Sequence, residues 1–208
     1  MPIDFQQVIS TTAGAFGEGL KFFAGKGMVN NALTEIVKKL NEHGIDYAVI
    51  GAVALNQYGY RRFTEDIDLL LKPEGLEQFR QELMGLGYRP AFEGARRQFR
   101  STSDNIRVEI ITSGEFPGDG RPKPVQFPDP TEAATEIDGI KTITIEKLVE
   151  LKLASGMTAP HRLRDLADVQ ELIKARKLEA DFADRLDPSV RKQFLELHGA
   201  ASHAPATE

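Results

Sequence analysis

The chain has 208 residues, 41% of them hydrophobic and 27% charged, which is enough to bury a core and ordinary for a globular protein. A net charge of −5 gives no overall pull toward nucleic acid or an anionic membrane, so any such contact has to be local. Cysteine is absent, which excludes disulfides, thiolate nucleophiles and zinc–sulfur sites.

The first basic residue is Lys21 and no apolar stretch approaches membrane-spanning length, so a cytoplasmic protein is expected. Residues 1–28 form an N-terminal helical extension: Phe5, Val8, Ile9, Ala13, Phe16, Leu20 and Phe23 recur at helical spacing. With almost no Lys or Arg on its polar face, this helix is expected to pack on the domain or on a second copy of the chain, giving a homodimer, rather than on a membrane. From residue 29, "VNNALTEIVKKLNEHG" predicts a helix with Asn31 as its cap and Gly44 as its stop. "IDYAVIGA" then reads as a strand entering a turn, and "AVALNQYG" as two turns of helix closed by Gly59.

Next come the strand "DIDLLLK", a helix from Pro73 to Gly87, and two strand-like runs, "RRQFRSTS" and "NIRVEIITSG". Residues 114–130 hold five prolines and three glycines and predict a loop, either a plain connector or a lid over a substrate. "IDGIKTITIEKLVELKLASG" gives a short strand or turn and then a helix. "APHRLRDLADVQELIKARKL" gives a second helix with Leu163, Leu166, Val169, Leu172 and Ile173 on one side. The order implies a mixed α/β (α+β) fold: a core over 29–140 with a short mixed sheet flanked by helices, a C-terminal helical segment over 141–195, and a disordered tail over 196–208.

In "RRFTEDIDLLL" strand alternation puts Asp66, Asp68 and Leu70 on one face and Ile67, Leu69 and Leu71 on the other. An isolated pair of this kind is by default two solvent-facing aspartates. Beside a core, two like charges one pleat apart lose hydration and repel, so a cation should balance them: Arg61, Arg62 or a divalent metal. Upstream, Gly51 sits between a strand and a helix start, where backbone N–H groups favour a phosphate. Downstream, Glu109 shares a strand face with Arg107 and Ile111, and is either an exposed residue paired with Arg107 or the third carboxylate of a two-metal cradle. Arg89, Arg96, Arg97, Arg100 and Arg107 make a local basic excess, suited to a solvated strand face or to guiding a triphosphate or RNA backbone.

A glycine turn, a short helix, a strand with two acids and a later strand with a third resemble the polymerase-β-type nucleotidyltransferases. "VIGAVALNQYGYRRFTEDIDLLL" is similar to the bacterial branch of AbiEii-type toxins and uncharacterised relatives, with its R-x-T-x-D-x-D pattern at Arg62, Thr64, Asp66 and Asp68. A second block, Lys152 followed by Arg164, Asp165 and Asp168, resembles that branch's lysine and R-D-x-x-D helix. The resemblance covers roughly residues 30–180 and implies transfer of a nucleoside monophosphate from an NTP. It implies Mg2+ or Mn2+ on Asp66, Asp68 and Glu109, with Lys152 as a fourth catalytic group. Gly51, Ala52, Arg62, Thr64, Arg164 and Asp165 are then expected near the nucleotide, and Thr64 and Arg62 are also expected to hold the entrance of the strand in place.

The family usually has Gly-Gly or Gly-Ser where this chain has Gly51-Ala52, and often Asp where this chain has Glu109. For Arg164, Asp165 and Asp168, capping of the domain stands beside a direct role. The implied acceptor is tRNA, in a toxin–antitoxin or phage-defence pair with a cognate partner protein. The alternatives are a small hydroxylated molecule of aminoglycoside type, or a non-catalytic nucleotide- or protein-binding relative.

Overall fold

The computed structural model describes residues 3–202. Its two most apolar runs pair with each other: β1 (Tyr47–Val49) lies antiparallel to β2 (Asp66–Leu71), with Val49 opposite Leu69. On the other side of β2 runs β5 (Arg107–Thr112), parallel, with Asp66 opposite Arg107 and Asp68 opposite Glu109. The strands β3 (Tyr88–Pro90), β4 (Gln98–Ser101), β6 (Ala134–Ile137) and β7 (Ile140–Ile143) complete one mixed sheet in the order β3-β4-β5-β2-β1-β7-β6. Being central, β2 buries both faces, as its apolar end requires. Ile67, Leu69 and Leu71 enter one core and Leu70 the other, while the two aspartates stay at the strand's entrance.

Helices cover both sides of the sheet. On one, α3 (Met28–Glu42) and α5 (Pro73–Glu82) bring Ile36, Leu40 and Phe79 against Leu69 and Leu71. Opposite them, α4 (Gly51–Gln57), α7 (Ile145–Thr158), α8 (Leu163–Arg176) and α9 (Pro188–Ser202) pack around Leu55, Leu153, Leu172 and Phe194. Each such fully buried side chain contributes roughly 1.5–3 kcal/mol. Gly156 lets α7 and α8 approach closely, since a Cβ there would lie 2.5 Å from Leu166 Cγ.

The N-terminal extension forms two helices, α1 (Phe5–Ile9) and α2 (Thr12–Phe23), capped by the Asp4 and Thr11 side chains. Phe5 and Phe22 anchor it in the core, whereas Phe16, Leu20 and Phe23 of the expected apolar face are exposed. The next helix, α3, starts at Met28, ahead of the expected cap Asn31. Glu18 accepts the Met28 N–H at 2.9 Å and Asn30 accepts that of Gly27 at 3.0 Å, so the first orphan donors are satisfied earlier.

Two boundaries also move. The stretch "IDGIKTI" makes a hairpin of β6 and β7 across Asp138 and Gly139, both at positive φ, and β7 pairs with β1, so the sheet runs through the expected break between residues 140 and 141. The expected disordered tail is helical from 196 to Ser202, because α9 continues and packs Leu197 and Ala201 on the core; residues 203–208 lie outside the described residues. Between Gly114 and Asp129 the chain has no regular structure until the short α6 (Pro130–Ala133), as its prolines dictate. No helix among the described residues is long and apolar enough to cross a membrane.

Candidate active site

β2 and β5 fix the two carboxylates of the site. Asp68 and Glu109 sit opposite one another on adjacent parallel strands, facing the same way and both lining one cavity of about 260 Å³. Among the described residues no donor or cation bonds the Asp68 side chain directly, and Glu109 has only the Gln98 amide at 3.5 Å. Burial pushes the Asp68 carboxyl up to about 7, and the negative charges of Asp66 and Glu109 push in the same direction.

Gly51 closes this side of the cavity at φ +65, a left-handed conformation. A Cβ added there would come within 1.9 Å of Asp68 Oδ2. The glycine thus keeps a side chain off Asp68, a closer reason for its presence than clearance for a phosphate. Ala52 follows it into α4, is buried, and does not reach the cavity.

Asp66 is arranged differently. Its Oδ1 accepts from Thr64 Oγ1 at 2.6 Å and its Oδ2 from Arg107 Nη2. The cation balancing this aspartate is therefore Arg107, in place of the expected Arg61 or Arg62, and Glu109 is not the partner of Arg107. Thr64 is buried at the entrance of the strand and holds Asp66, in line with a positioning role.

Arg62 turns the other way and donates to Asp168 on α8 at 2.5 Å, while Asn56 clamps the Arg62 backbone at both N–H and C=O. It does not line the cavity.

The second block meets at the opposite wall. Lys152, on α7 and nearly buried, donates to Asp165 at 2.9 Å and to Asp168 at 2.7 Å, and Ser155 donates to Asp165 at 2.7 Å. Asp165 is held below the usual carboxylate range: its burial raises the pKa, but the Lys152 charge and the Ser155 and Lys152 hydrogen bonds outweigh it. Arg164 is exposed and does not line the cavity, and Asp168, four positions on, pairs with Arg62 and Lys152. Arg162 lines the cavity instead, 3.7 Å from Asp165. A 3-10 turn at Pro160–Arg162 sets the start of α8, so that 162 and 165, three residues apart, share a side.

A third wall comes from the loop after β5. Lys123 pins it by donating to Pro117 O at 2.6 Å and to Thr158 Oγ1 at 2.9 Å, and Gly118 packs on Ser155 where a Cβ would lie 2.8 Å from the carbonyl oxygen. Phe116, Pro117 and Phe127 face the cavity, so the stretch is a docked wall rather than a plain connector. Glu115 also lines it, held by Thr112 and Arg97, and was not anticipated because only the fold of the loop turns it inward.

The cavity thus gathers Gly51, Asp68, Glu109, Lys152 and Asp165 of the expected residues, and omits Asp66, Ala52, Arg62, Thr64 and Arg164. Among the described residues no three His, Asp or Glu side chains converge as a ready metal cage. The Asp68–Glu109 pair nevertheless fits a hard divalent cation: two half-buried carboxylates, that of Asp68 with no counter-charge in contact.

The family described as "Uncharacterised nucleotidyltransferase" matches residues 22–198. No curated protein sequence matches. The fold is similar to the solution structure of the antibiotic-resistance factor ANT(2'')-Ia (TM-score 0.52, 15% identity, 85% of this chain and 100% of that one). It is likewise similar to the crystal structure of ANT(2'')-Ia with adenylyl-2''-tobramycin (TM-score 0.50, 14% identity, 83% and 97%). An antigenic nucleotidyltransferase-like protein from Paracoccidioides brasiliensis matches at TM-score 0.49 and 18% identity, over 83% and 91%. At these identities the likeness to the two ANT(2'')-Ia structures is one of fold alone.

Proposed function

The chain belongs to the uncharacterised nucleotidyltransferase family, and from that membership we propose that it transfers a nucleoside monophosphate from an NTP to a hydroxyl acceptor with the help of Mg2+ or Mn2+. The observation that carries this reading is the register that sets Asp68 opposite Glu109, both facing the cavity that Lys152 also lines. In the reaction the acceptor oxygen bonds to the α-phosphorus, the bond to the bridging oxygen breaks, and pyrophosphate leaves with that electron pair. Asp68 and Glu109 are the residues that would hold the cation, which when bound supplies positive charge for the attacking and departing oxygens.

In this reading Glu109, beside Asp68 on the neighbouring strand, also takes the acceptor's proton. Lys152 has spent two of its three donors on Asp165 and Asp168, and its third is free for a phosphate oxygen. Gly51 keeps the space beside Asp68 free of a side chain. The docked loop sets Phe116 and Phe127 as an apolar wall of this half-open cavity.

The charge of the cavity bears on the acceptor. Asp68, Glu109, Glu115 and Asp165 outnumber Lys152 and Arg162. The arginines that could have tracked RNA are largely engaged within the chain: Arg97 with Glu115, Arg100 and Arg89 with Asn105, Arg107 with Asp66. This favours a small, hydroxylated, cationic acceptor over tRNA.

The test is incubation with each α-labelled NTP, Mg2+ and, in separate reactions, total RNA or hydroxylated polyamines. Label in the small acceptor is expected, and it should vanish in Asp68→Ala and Glu109→Ala. Label in RNA would restore the toxin-like acceptor. Label nowhere, with no NTP binding by calorimetry, would leave a non-catalytic binding protein.

A further inference from the structure

Among the described residues two basic side chains line the cavity, and they differ in what they have left to give. Lys152 is nearly buried and spends donors on Asp165 and Asp168. Arg162 spends none: its guanidinium lies 3.7 Å from Asp165, beyond hydrogen-bond reach, and donates to no other described residue. Its planar fork of N–H groups matches the oxygens of a phosphate.

The backbone beneath that side chain is nonetheless fixed. Pro160 opens the 3-10 turn, and the Arg162 N–H closes it on the carbonyl of buried Ala159 at 2.8 Å. The side chain itself is 54% exposed, so this wall passes from a covered cation at Lys152 to an open one at Arg162, with Asp165 between them. An exposed pair as long as that of Arg162 with Asp165 is weak, so Arg162 loses little by turning to a phosphate.

We infer that Arg162 binds the outer phosphates of the NTP and holds the pyrophosphate as its bond to the α-phosphorus breaks, in place of the Arg164 that the resemblance implied. The inference rests on the nucleotide reading above and names the residue of this chain that tells a triphosphate from a monophosphate. With the α-phosphate beside Asp68 and Glu109, the rest of the triphosphate runs along the facing wall, past Lys152 to the open end at Arg162.

Calorimetric titration of the full chain with each NTP, the matching NMP and inorganic pyrophosphate, all with Mg2+, tests this without any transfer reaction. Pyrophosphate carries no base, so its result is independent of which NTP the chain prefers. Arg162→Gln should weaken the NTP and pyrophosphate by about tenfold, the scale of a charge-assisted hydrogen bond, and the NMP by less than about twofold. Arg162→Lys should fall in between, since it keeps the charge and loses the fork. Arg164→Gln should leave all three ligands unchanged, and each variant should keep the urea midpoint of the unmodified chain.

No loss in Arg162→Gln, an equal loss for NTP and NMP, or the same loss in Arg164→Gln would overturn the inference while leaving nucleotide binding intact. If the unmodified chain bound neither an NTP nor pyrophosphate, the nucleotide reading itself would fall and this inference with it.

Discussion

At Asp68 two penalties add. Burial strips its hydration, and the charges of Asp66 and Glu109 oppose ionisation, so its carboxyl rises from 3.8 to about 7. A carboxyl whose pKa is higher in the folded than in the unfolded chain binds its proton more tightly when folded. Its contribution to stability is therefore greatest below pH 4, falls as pH rises toward 7, and stays low above. The shift corresponds to an upper bound of roughly 4 kcal/mol. Asp68→Asn should accordingly be more stable than the unmodified chain by about 2 kcal/mol or more at pH 8 in EDTA. That gain should shrink toward pH 4, as read from urea midpoints at both pH values. A gain equal at both would mean that the charge on Asp68 is not what destabilises the protein. Asp68 was legible from strand alternation alone. Its partner relations were not, because whether Arg62 or Arg107 reaches the aspartates depends on the β2–β5 register, which no local pattern prints.

Among the elements, α2 shows how far periodicity carries and where it stops. Helical spacing predicted the element, but the face it buries is set by Phe22, whose ring meets Phe63 edge-on with centroids 5.4 Å apart, just ahead of Thr64. The stripe of Phe16, Leu20 and Phe23 remains outside. Periodicity finds an apolar arc but not which neighbour covers it. Phe22→Ala should therefore cost about 3–5 kcal/mol, whereas Phe16→Ser should change stability by no more than about 0.5 kcal/mol, both by chemical denaturation. A large loss in Phe16→Ser would show the stripe to be covered, by a second copy of the chain for instance. The β6–β7 hairpin is legible in part: "DG" between short apolar runs is a hairpin signal, and the short strand or turn expected there is a strand pair at the sheet's far edge. The phase of α8 was not legible, because the 3-10 turn before it decides that Arg162 and not Arg164 faces the cavity.

Across the whole molecule, the two sequence blocks are joined by one buried charge network. Asp168 is 1% exposed and its Oδ2 accepts from both Arg62, 106 positions earlier, and Lys152 on the neighbouring helix. The order of the blocks was visible in the sequence, but their meeting was not, since a contact so distant in the chain exists only once the sheet and the C-terminal helices have closed on each other. The network tethers the Arg62–Thr64 segment leading into β2 to the helix pair that carries Lys152, so it couples the Asp68 wall of the cavity to the Lys152 wall. Removing one cation from a buried carboxylate costs about 3–5 kcal/mol, because the remaining charge is stranded. Arg62→Met is held to the lower end, since Lys152 stays behind. In an Asp168→Asn background no anion is left for Arg62 to balance, and the same Arg62→Met change should then cost less than half as much. Urea unfolding of the two single variants and the double variant measures this coupling. A strictly additive result would mean that Arg62 packs against α8 without sharing charge with it, and the Asp68 and Lys152 walls would then be held by separate parts of the fold.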